Sequence, residues 1–510
     1  MLNLHKRIRI LTLLGVILSL CIQISVFGAD KPNYLALTIL HTNDIHGHLF
    51  PFDYNALGKP ETNVGGAARR AAMIRTIKSE STNPVIVMDA GDVFTRGPLQ
   101  DLEGKPDFDV MNAVPYDIMT LGNNEFKGDS YINNPSPLGL DILRERIKQA
   151  EFSVISANVI EKSTGSTLVA PCHIFEAGGI KIGVFGLTAP RVAGYPQAVA
   201  LQLNDPIATA KKMVAELSDK CDFIIALTHI GYDSDLALAS SVPGIDVIIG
   251  GDSHTWLDKP TLVKNDNASE TACWVGGTII CQDGEWGKAL GKLDLYLHKE
   301  SDGRYLVMSY KDQVIDIDSS IQPAQDVEII LENYTKPYMV KIGTLDKDVT
   351  LSNAPAWVAE RLREATKSDI GFRPYDGVES GLATGPVTEL DLRKMVPWNN
   401  KVVVVKATGA QINKLVLQPN AAVVGAEIRD GQLYVGNNKA EPASYYTIAS
   451  EDYYAITSPA LSDAQITKTD LSTRDILRSY VARHDQSNNN TLPAAAVREP
   501  VISMAGTIAP

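Results

Sequence analysis

Short apolar runs that lead into polar clusters recur through the first half of the chain. The runs occupy residues 35–40, 85–88, 118–121, 223–227 and 247–249, and each is followed within a few residues by Asp, Asn or His. Runs of this kind are typical of strands buried on both faces. Helical patterns separate them, for example at residues 66–78 and 206–217. The alternation predicts a layered α/β domain.

The polar clusters all fall where the predicted strands end, and ligands of layered α/β domains gather at that end. A single cluster would be explained as a turn, because Asp and Asn are common turn residues. Five clusters together are hard to explain in this way. They supply Asp44, His46, Asp92, Asn123, His229, Asp252 and His254. Carboxylates and imidazoles bind Mn, Zn, Fe or Mg, and a shared Asp can bridge two ions, so the pattern predicts a site for two divalent metal ions.

Length and charge narrow the functional classes. The 510 residues are 45% hydrophobic and 21% charged, which is ordinary globular composition, and the length predicts two or three domains. The net charge is -13, and the chain after residue 29 carries -16, because the first 29 residues hold three basic residues and no acidic one. This balance argues against nucleic acid as a partner. A small anionic substrate would need local positive charge, which metal ions supply.

The first 29 residues resemble an export signal. Three basic residues precede an apolar stretch at 10–26 and a small-residue exit, so we expect a signal peptide and a periplasmic or secreted protein. An uncleaved membrane anchor is the alternative, and no other segment is apolar enough to span a membrane. Four cysteines remain after the signal: Cys172, Cys221, Cys273 and Cys281. Cys273 and Cys281 are the nearest candidates for a disulfide, and four buried thiols are the alternative.

Several motifs in order resemble a known family. They are His41-Thr-Asn-Asp-Ile-His46, Gly65-Gly-Ala-Ala-Arg69, Asp89-Ala-Gly-Asp92, Leu121-Gly-Asn-Asn-Glu-Phe126, Ser156-Ala-Asn-Val159, Lys181-Ile-Gly-Val-Phe-Gly-Leu187 and Gly250-Gly-Asp-Ser-His254. Together they resemble the 5'-nucleotidase family of calcineurin-like metallophosphoesterases. The resemblance implies a four-layer αββα catalytic domain at 35–320, a connecting helix at 321–351, an α+β recognition domain of 5'-nucleotidase type at 352–485 and a tail at 486–510. It also implies hydrolysis of a small phosphoester, such as a nucleotide, by a metal-bound hydroxide.

The resemblance assigns roles to the seven candidate ligands. Asp44 and His46 would bind the first metal, Asp92 would bridge, and Asn123 and His229 would bind the second. The family has a His where this chain has Asp252, with His254 two residues later; both can still act as ligands, and the extra negative charge would favour Mn or Mg over Zn. Asn43 and Glu125 match positions that orient the ligands, whereas His41 and His48 are expected to flank the site.

The largest departure from the family is Asn124. The family motif has a His there, which is taken to stabilise the transition state, and an Asp where this chain has Lys127. An amide donates a hydrogen bond but carries no positive charge, and losing a general acid costs about a hundred- to ten-thousand-fold in rate. We therefore expect activity biased towards esters with good leaving groups. Lys127 could restore a cation, although a surface lysine is the simpler interpretation.

The second domain also departs from the family. The loop that begins at Arg373 lacks the family's Asn and its phosphate-facing Arg, and the loop expected after 445–454 with the partner aromatic is absent. Trp398 matches the aromatic that stacks on the nucleobase, and a core tryptophan is the alternative. We therefore carry two alternatives beside nucleotide hydrolysis. One is a hydrolase of another ester, as in thiosulfohydrolases, and the other is a metal-binding protein without turnover.

Overall fold

The structure is a computed structural model, and it describes residues 31–54, 61–94, 96–127, 138–264 and 275–483. The expected signal segment, the tail at 486–510 and Cys273 lie outside these residues. Within them, no helix combines the length and the apolar character that a membrane crossing requires.

The catalytic half is built on two six-stranded sheets. The first has the strand order β16-β15-β1-β4-β5-β6 and the second has the order β13-β14-β12-β11-β9-β8. The strands of this half are β1 (Tyr34–Thr42), β2 (Phe52–Tyr54), β3 (Glu61–Val64), β4 (Val85–Asp89), β5 (Ile118–Thr120), β6 (Ser153–Ile155), β7 (Val159–Glu161), β8 (Cys172–Ala177), β9 (Ile180–Thr188), β10 (Leu201–Leu203), β11 (Phe223–His229), β12 (Val247–Ile249), β13 (Thr261–Lys264), β14 (Gly277–Cys281), β15 (Ala289–Lys299) and β16 (Tyr305–Asp316).

Helices cover the outer face of each sheet. Those of this half are α1 (Ala67–Glu80), α2 (Lys105–Ala113), α3 (Leu138–Gln149), α4 (Pro206–Ser218) and α5 (Tyr232–Ser241). One buried core joins α1 to α3 with the first sheet, one joins the two sheets, and one joins α4 and α5 with the second sheet. Three cores between four layers confirm the predicted αββα architecture.

The alternation along β1 sets which layers meet. Leu37 and Ile39 face the second sheet, whereas Leu40 faces the helices. Because side chains alternate across a strand, His41 follows Leu37 and Ile39 onto the face between the sheets. A strand apolar on both faces is therefore required in the middle of the sandwich.

The second half is α+β, as predicted. Helix α6 (Gln325–Thr335) precedes it, within the stretch where a connecting helix was expected. Its five-stranded sheet has the order β21-β18-β25-β20-β26, and β17 pairs with β19 outside that sheet. The remaining elements are β17 (Lys341–Leu345), α7 (Ala354–Thr366), β18 (Ile370–Pro374), β19 (Gly385–Thr388), α8 (Glu389–Met395), β20 (Lys401–Thr408), α9 (Gly409–Val416), β21 (Ala421–Val424), β22 (Ala426–Arg429), β23 (Gln432–Val435), β24 (Asn438–Lys439), β25 (Tyr445–Glu451), α10 (Asp452–Thr457), β26 (Gln465–Ser472) and α11 (Thr473–Arg483).

Candidate metal centre

The candidate ligands lie on the carboxyl ends of neighbouring strands from both sheets. Asp44 and His46 follow β1, Asp92 follows β4, and Asn123 follows β5. In the second sheet His229 ends β11, while Asp252 and His254 follow the adjacent β12. The predicted gathering of polar clusters at one edge of the sandwich is therefore present.

Four acidic and imidazole side chains approach Asp44 closely. The carboxylate Oδ1 of Asp44 lies 3.3 Å from His254 Nε2, 3.7 Å from His46 Nε2 and 3.9 Å from His229 Nε2. Asp92 Oδ1 lies 3.3 Å from His229 Nε2. Two overlapping groups, Asp44–His46–His254 and Asp44–Asp92–His229, each bring their ligand atoms within 4.8 Å of one another. Asp44 is common to both groups, so it is placed as well as Asp92 for sharing two ions.

These atoms fit divalent cations better than they fit one another. Asp44 Oδ1 and His229 Nε2 are buried and have no hydrogen-bond partner within the described part of the chain. Orphaned buried acceptors cost about 1–3 kcal/mol each, and a cation is the usual partner that relieves such a cost. The donor set of carboxylates and imidazoles is the one that Mn, Zn, Fe and Mg accept.

The backbone at the ligands is strained in a common way. Asp44, His46, Asp92, Asp252 and His254 all have positive φ, between 51° and 83°. This left-handed region is uncommon for residues other than glycine and concentrates at functional sites. The strain turns each side chain back over the strand ends towards the shared centre.

Neighbouring groups hold the ligands in place. His229 Nδ1 donates to the carbonyl of Ala90 (2.7 Å), which directs Nε2 towards Asp44 and Asp92. Asn43 Nδ2 donates to Asp44 Oδ2 (2.8 Å). Glu125 accepts hydrogen bonds from the backbone N–H groups of Asp92 (3.0 Å), Val93 (2.7 Å) and Gly122 (2.7 Å). The orienting roles expected for Asn43 and Glu125 agree with these contacts.

The carboxylates set the charge state of the imidazole among them. Burial lowers the pKa of His229, but Asp92 and Asp44 outweigh burial and hold it well above its usual value. Burial raises the pKa of Asp92, and His229 reverses that effect, so the carboxyl pKa lies well below its usual value. A bound cation would replace the proton on His229, because a ligating imidazole is neutral.

Asn123 and Asp252 meet an arginine that the sequence analysis did not single out. Arg191 Nη1 donates to Asp252 Oδ2 (2.6 Å), and its Nη2 donates to Asp252 Oδ1 and to Asn123 Oδ1. Arg191 lies in a 3-10 helix, Pro190–Gly194, directly after β9. It therefore follows one more strand end in the quoted motif at 181–187, and that position was the available signal.

Asn124 faces the centre through Asp92. Its backbone N–H donates to Asp92 Oδ1 (2.7 Å), and its side-chain amide donates to Asp92 Oδ2. Lys127 is half-buried instead of lying on the open surface, with its ammonium 5.5 Å from the ring centroid of Tyr195. Burial lowers the pKa of Lys127, and Asp92 and Asp252 oppose that shift. A lysine charge therefore lies in the field of two candidate ligands.

A second layer of side chains surrounds His254 and His48. Glu285 Oε2 lies 2.5 Å from His254 Nδ1, a contact that sequence reasoning missed. His48 is buried, stacks on Trp286 with ring centroids 4.2 Å apart, and places Nε2 3.2 Å from Glu379 Oε2 of the second half. The flanking role predicted for His48 thus includes a contact between the two halves of the chain.

The recognition half contributes Trp398 but withholds its arginine. Arg96 of the catalytic half lies over the ring of Trp398, 5.9 Å from its centroid, and Trp398 is half-buried. Arg373 is fully buried, pairs with Glu451 and donates to the carbonyl of Gly377. Arg373 therefore does not face the metal centre, as the divergent loop sequence predicts.

Comparisons with known proteins agree with this geometry. The family model described as calcineurin-like phosphoesterase matches residues 37–256, and the one described as 5'-nucleotidase, C-terminal domain, matches residues 341–423. A 5'-nucleotidase of Vibrio cholerae is 30% identical over 438 residues, which cover 75% of each chain. The crystal structure of a 5'-nucleotidase precursor from Thermus thermophilus has a TM-score of 0.67 at 24% identity and covers 88% of this chain and 97% of its own. The sulfate thiohydrolase SoxB of Thermus thermophilus has a TM-score of 0.65 at 18% identity, covering 91% and 99%.

A four-layer sandwich with carboxylates and imidazoles on its strand ends defines a metallophosphoesterase fold, a class of hydrolases that bind two metal ions. Within that class, the chain belongs to the 5'-nucleotidase family of calcineurin-like phosphoesterases. The resemblance stated from the motifs is therefore confirmed.

Proposed function

We propose that this protein is an exported phosphoesterase that hydrolyses nucleotides or related phosphoesters with two divalent ions bound at the centre. The observation that carries the proposal is the approach of Asp44, Asp92 and His229 around orphaned ligand atoms. Asp44, His46, Asp92, Asn123, His229, Asp252 and His254 would hold the ions. When bound, such ions activate water as a nucleophile and neutralise charge on the phosphoryl group.

Arg191 would supply the positive charge that Asn124 lacks. The guanidinium contacts Asn123 and Asp252 on either side of the centre, and half of its side chain is exposed to solvent. A phosphoryl group that enters from that side would meet donors already held in place, which is the arrangement that stabilises developing negative charge. Asn124 would act indirectly, by fixing the carboxylate of Asp92.

Arg191 also changes the meaning of the Asp252 substitution. A carboxylate in place of the family's neutral imidazole adds one negative charge, and the bidentate contact with Arg191 returns one positive charge. The net charge around the ions would then match that of a centre with His at this position. The predicted preference for Mn or Mg over Zn should therefore be smaller than Asp252 alone implies.

The recognition half favours a substrate gripped mainly by the catalytic half. Arg373 is sequestered by Glu451, and Glu379 presents a carboxylate towards His48. A nucleobase could still stack on Trp398, beside Arg96. The buried arginine is the observation that favours a second candidate function, hydrolysis of a non-nucleotide ester on the same centre.

A panel of esters would test the proposal. Full-length protein, loaded in turn with Mn, Zn or Mg, is assayed for release of phosphate from nucleoside monophosphates, an aryl phosphate and an alkyl phosphate. We expect turnover that is lost in Asp92→Asn and kept in Asp302→Asn, whose carboxylate pairs with Arg304 in an exposed contact. Bound metal without turnover of any ester would overturn the enzyme and support a binding protein.

A further inference from the structure

A second group of metal-binding side chains lies between the two sheets. His41 is on β1, Cys281 is the last residue of β14, and Asp312 is on the edge strand β16. One ligand atom from each, an imidazole nitrogen, the thiol sulfur and a carboxylate oxygen, lies within 4.8 Å of the other two. Neither the proposed function nor the centre around Asp44 uses any of these three residues.

His41 is the most telling member of the group. Its side chain is 2% exposed, and neither ring nitrogen has a hydrogen-bond partner within the described residues. Buried polar atoms in native proteins are nearly always paired, so two orphaned nitrogens on one ring call for a ligand. Burial lowers the pKa of His41 to about 4, so the imidazole is neutral near pH 7 and keeps a lone pair for a metal.

The fold makes room for this imidazole. His41 pairs with Gly291 of β15, and a Cβ at Gly291 would lie 2.1 Å from the ring atoms Cε1 and Nε2 of His41. The ring therefore lies over a glycine, on the face between the sheets and one strand away from β16, which carries Asp312. Any larger residue at position 291 would displace the ring from this place.

The other two ligands approach from different directions. Cys281 is 3% exposed, belongs to the second sheet and is a free thiol. Asp312 is half-buried at the sheet edge, and burial raises its pKa to about 6, which leaves the carboxylate mostly ionised near pH 7. The group thus joins the two sheets and has one side near solvent, through which an ion could enter.

We propose that His41, Cys281 and Asp312 bind a third divalent ion of borderline softness, best matched by Zn²⁺. Imidazole, thiolate and carboxylate are all zinc ligands, and a thiolate selects against Mg²⁺ and Ca²⁺. Binding converts the Cys281 thiol to a thiolate and releases its proton to solvent. The thiolate and carboxylate then balance the two positive charges of the ion, and the ion links β1 and β16 of the first sheet to β14 of the second.

Cobalt substitution tests this site separately from the phosphoesterase centre, so failure of one does not imply failure of the other. Metal-free, reduced protein is titrated with Co²⁺ and followed by absorbance. A thiolate ligand produces a near-ultraviolet sulfur-to-cobalt charge-transfer band, and none of the seven candidate ligands of the other centre is a cysteine. We expect the band together with a third equivalent of bound cobalt. Cys281→Ser should lose the band and keep two equivalents.

Two further variants make the result specific. Cys221→Ser is the matched control, because Cys221 is also a buried free thiol but packs in the core beneath α4, and its band should equal that of the wild type. Asp312→Asn, a near-isosteric change at the sheet edge, should weaken cobalt binding at least tenfold even if Cys281→Ser fails to fold.

The proposal is overturned if the wild type shows no charge-transfer band, or if the band persists in Cys281→Ser. It is also overturned if the protein, isolated without reductant, carries Cys281 in a disulfide with Cys273, since that bond would remove the thiolate. Thermal unfolding supplies a second readout. Zn²⁺ should raise the melting temperature of the wild type more than that of Cys281→Ser.

Discussion

Arg191 forms a bidentate ion pair with Asp252, the one candidate ligand at which this chain replaces the family's histidine with a carboxylate. The same guanidinium also donates to Asn123, next to the position where the family's other histidine is replaced by Asn124. Both departures from the family motif therefore meet at a single arginine, and a histidine lost at one position and a charge gained at the other are balanced by one side chain.

Replacing Arg191 tests this relationship. In Arg191→Gln we expect kcat/KM for an aryl phosphate to fall by about a hundredfold, the size of effect seen when one preorganised transition-state donor is removed. Arg304→Gln is the matched control, because Arg304 makes an exposed contact with Asp302 away from the centre. Steady-state kinetics with metal content measured in parallel distinguishes the outcomes. An unchanged kcat/KM would contradict the role of Arg191.

Restoring the family histidine should broaden the range of leaving groups. Wild-type protein is expected to cleave an aryl phosphate much faster than an alkyl phosphate, because Asn124 cannot protonate a poor leaving group. In Asn124→His we expect alkyl-ester turnover to rise by about tenfold or more, with a new acidic limb in the pH–rate profile. Asn124→Gln keeps an amide and serves as the control. Equal rates on both esters in the wild type would sink this prediction.

Glu125 should be essential to the loop that carries Asp92. Its carboxylate accepts three backbone N–H groups, and in Glu125→Gln an amide NH₂ would face at least one of those donors. Leaving buried N–H groups unpaired should cost about 1–3 kcal/mol of unfolding free energy and reduce metal affinity. Denaturant unfolding of the metal-free protein measures the first effect. Glu216→Gln, which breaks an exposed pair with Lys212, should stay within about 0.5 kcal/mol.

Trp398 should affect nucleotides selectively. If a base stacks on its ring, Trp398→Leu should raise KM for a nucleoside monophosphate by about tenfold, because stacking is worth about 1–3 kcal/mol. KM for an aryl phosphate without a base should change much less. Trp357→Leu, also in the second half but packed against Tyr480, is the control. An equal loss on both substrates would assign Trp398 to holding Arg96 instead.

Asp107 predicts a pH dependence of stability. Burial raises its pKa to about 7, whereas the unfolded value is near 3.8. A raised acid pKa means that the folded state holds the proton more tightly, so stability falls as pH rises from about 4 to about 7 and is level above that range. Asp107→Asn removes this loss, by up to about 4 kcal/mol at pH 8, since each pKa unit corresponds to about 1.4 kcal/mol. Parallel unfolding curves for both proteins across that range would refute it.

Much of the architecture was readable from the sequence because the strand ends carry a strong local signal. The run at 223–227 is apolar on both faces and ends in His229, and the structure places it in the middle of the second sheet. Arg191 was not readable, because a lone arginine after β9 shows its value only when Asp252, some sixty residues away, is beside it. The strand β17 was missed for a similar reason, since its partner β19 lies about forty residues further along the chain.

The left-handed backbone at five of the candidate ligands limits how this centre can change over evolution. Asp, Asn and His are the residues other than glycine that tolerate positive φ most readily, whereas β-branched side chains do not. These same three residues are also oxygen and nitrogen donors for metals. Mutational drift at such positions is therefore channelled between alternative ligands, so the exchange of histidine for aspartate at 252 follows a path that the main chain leaves open.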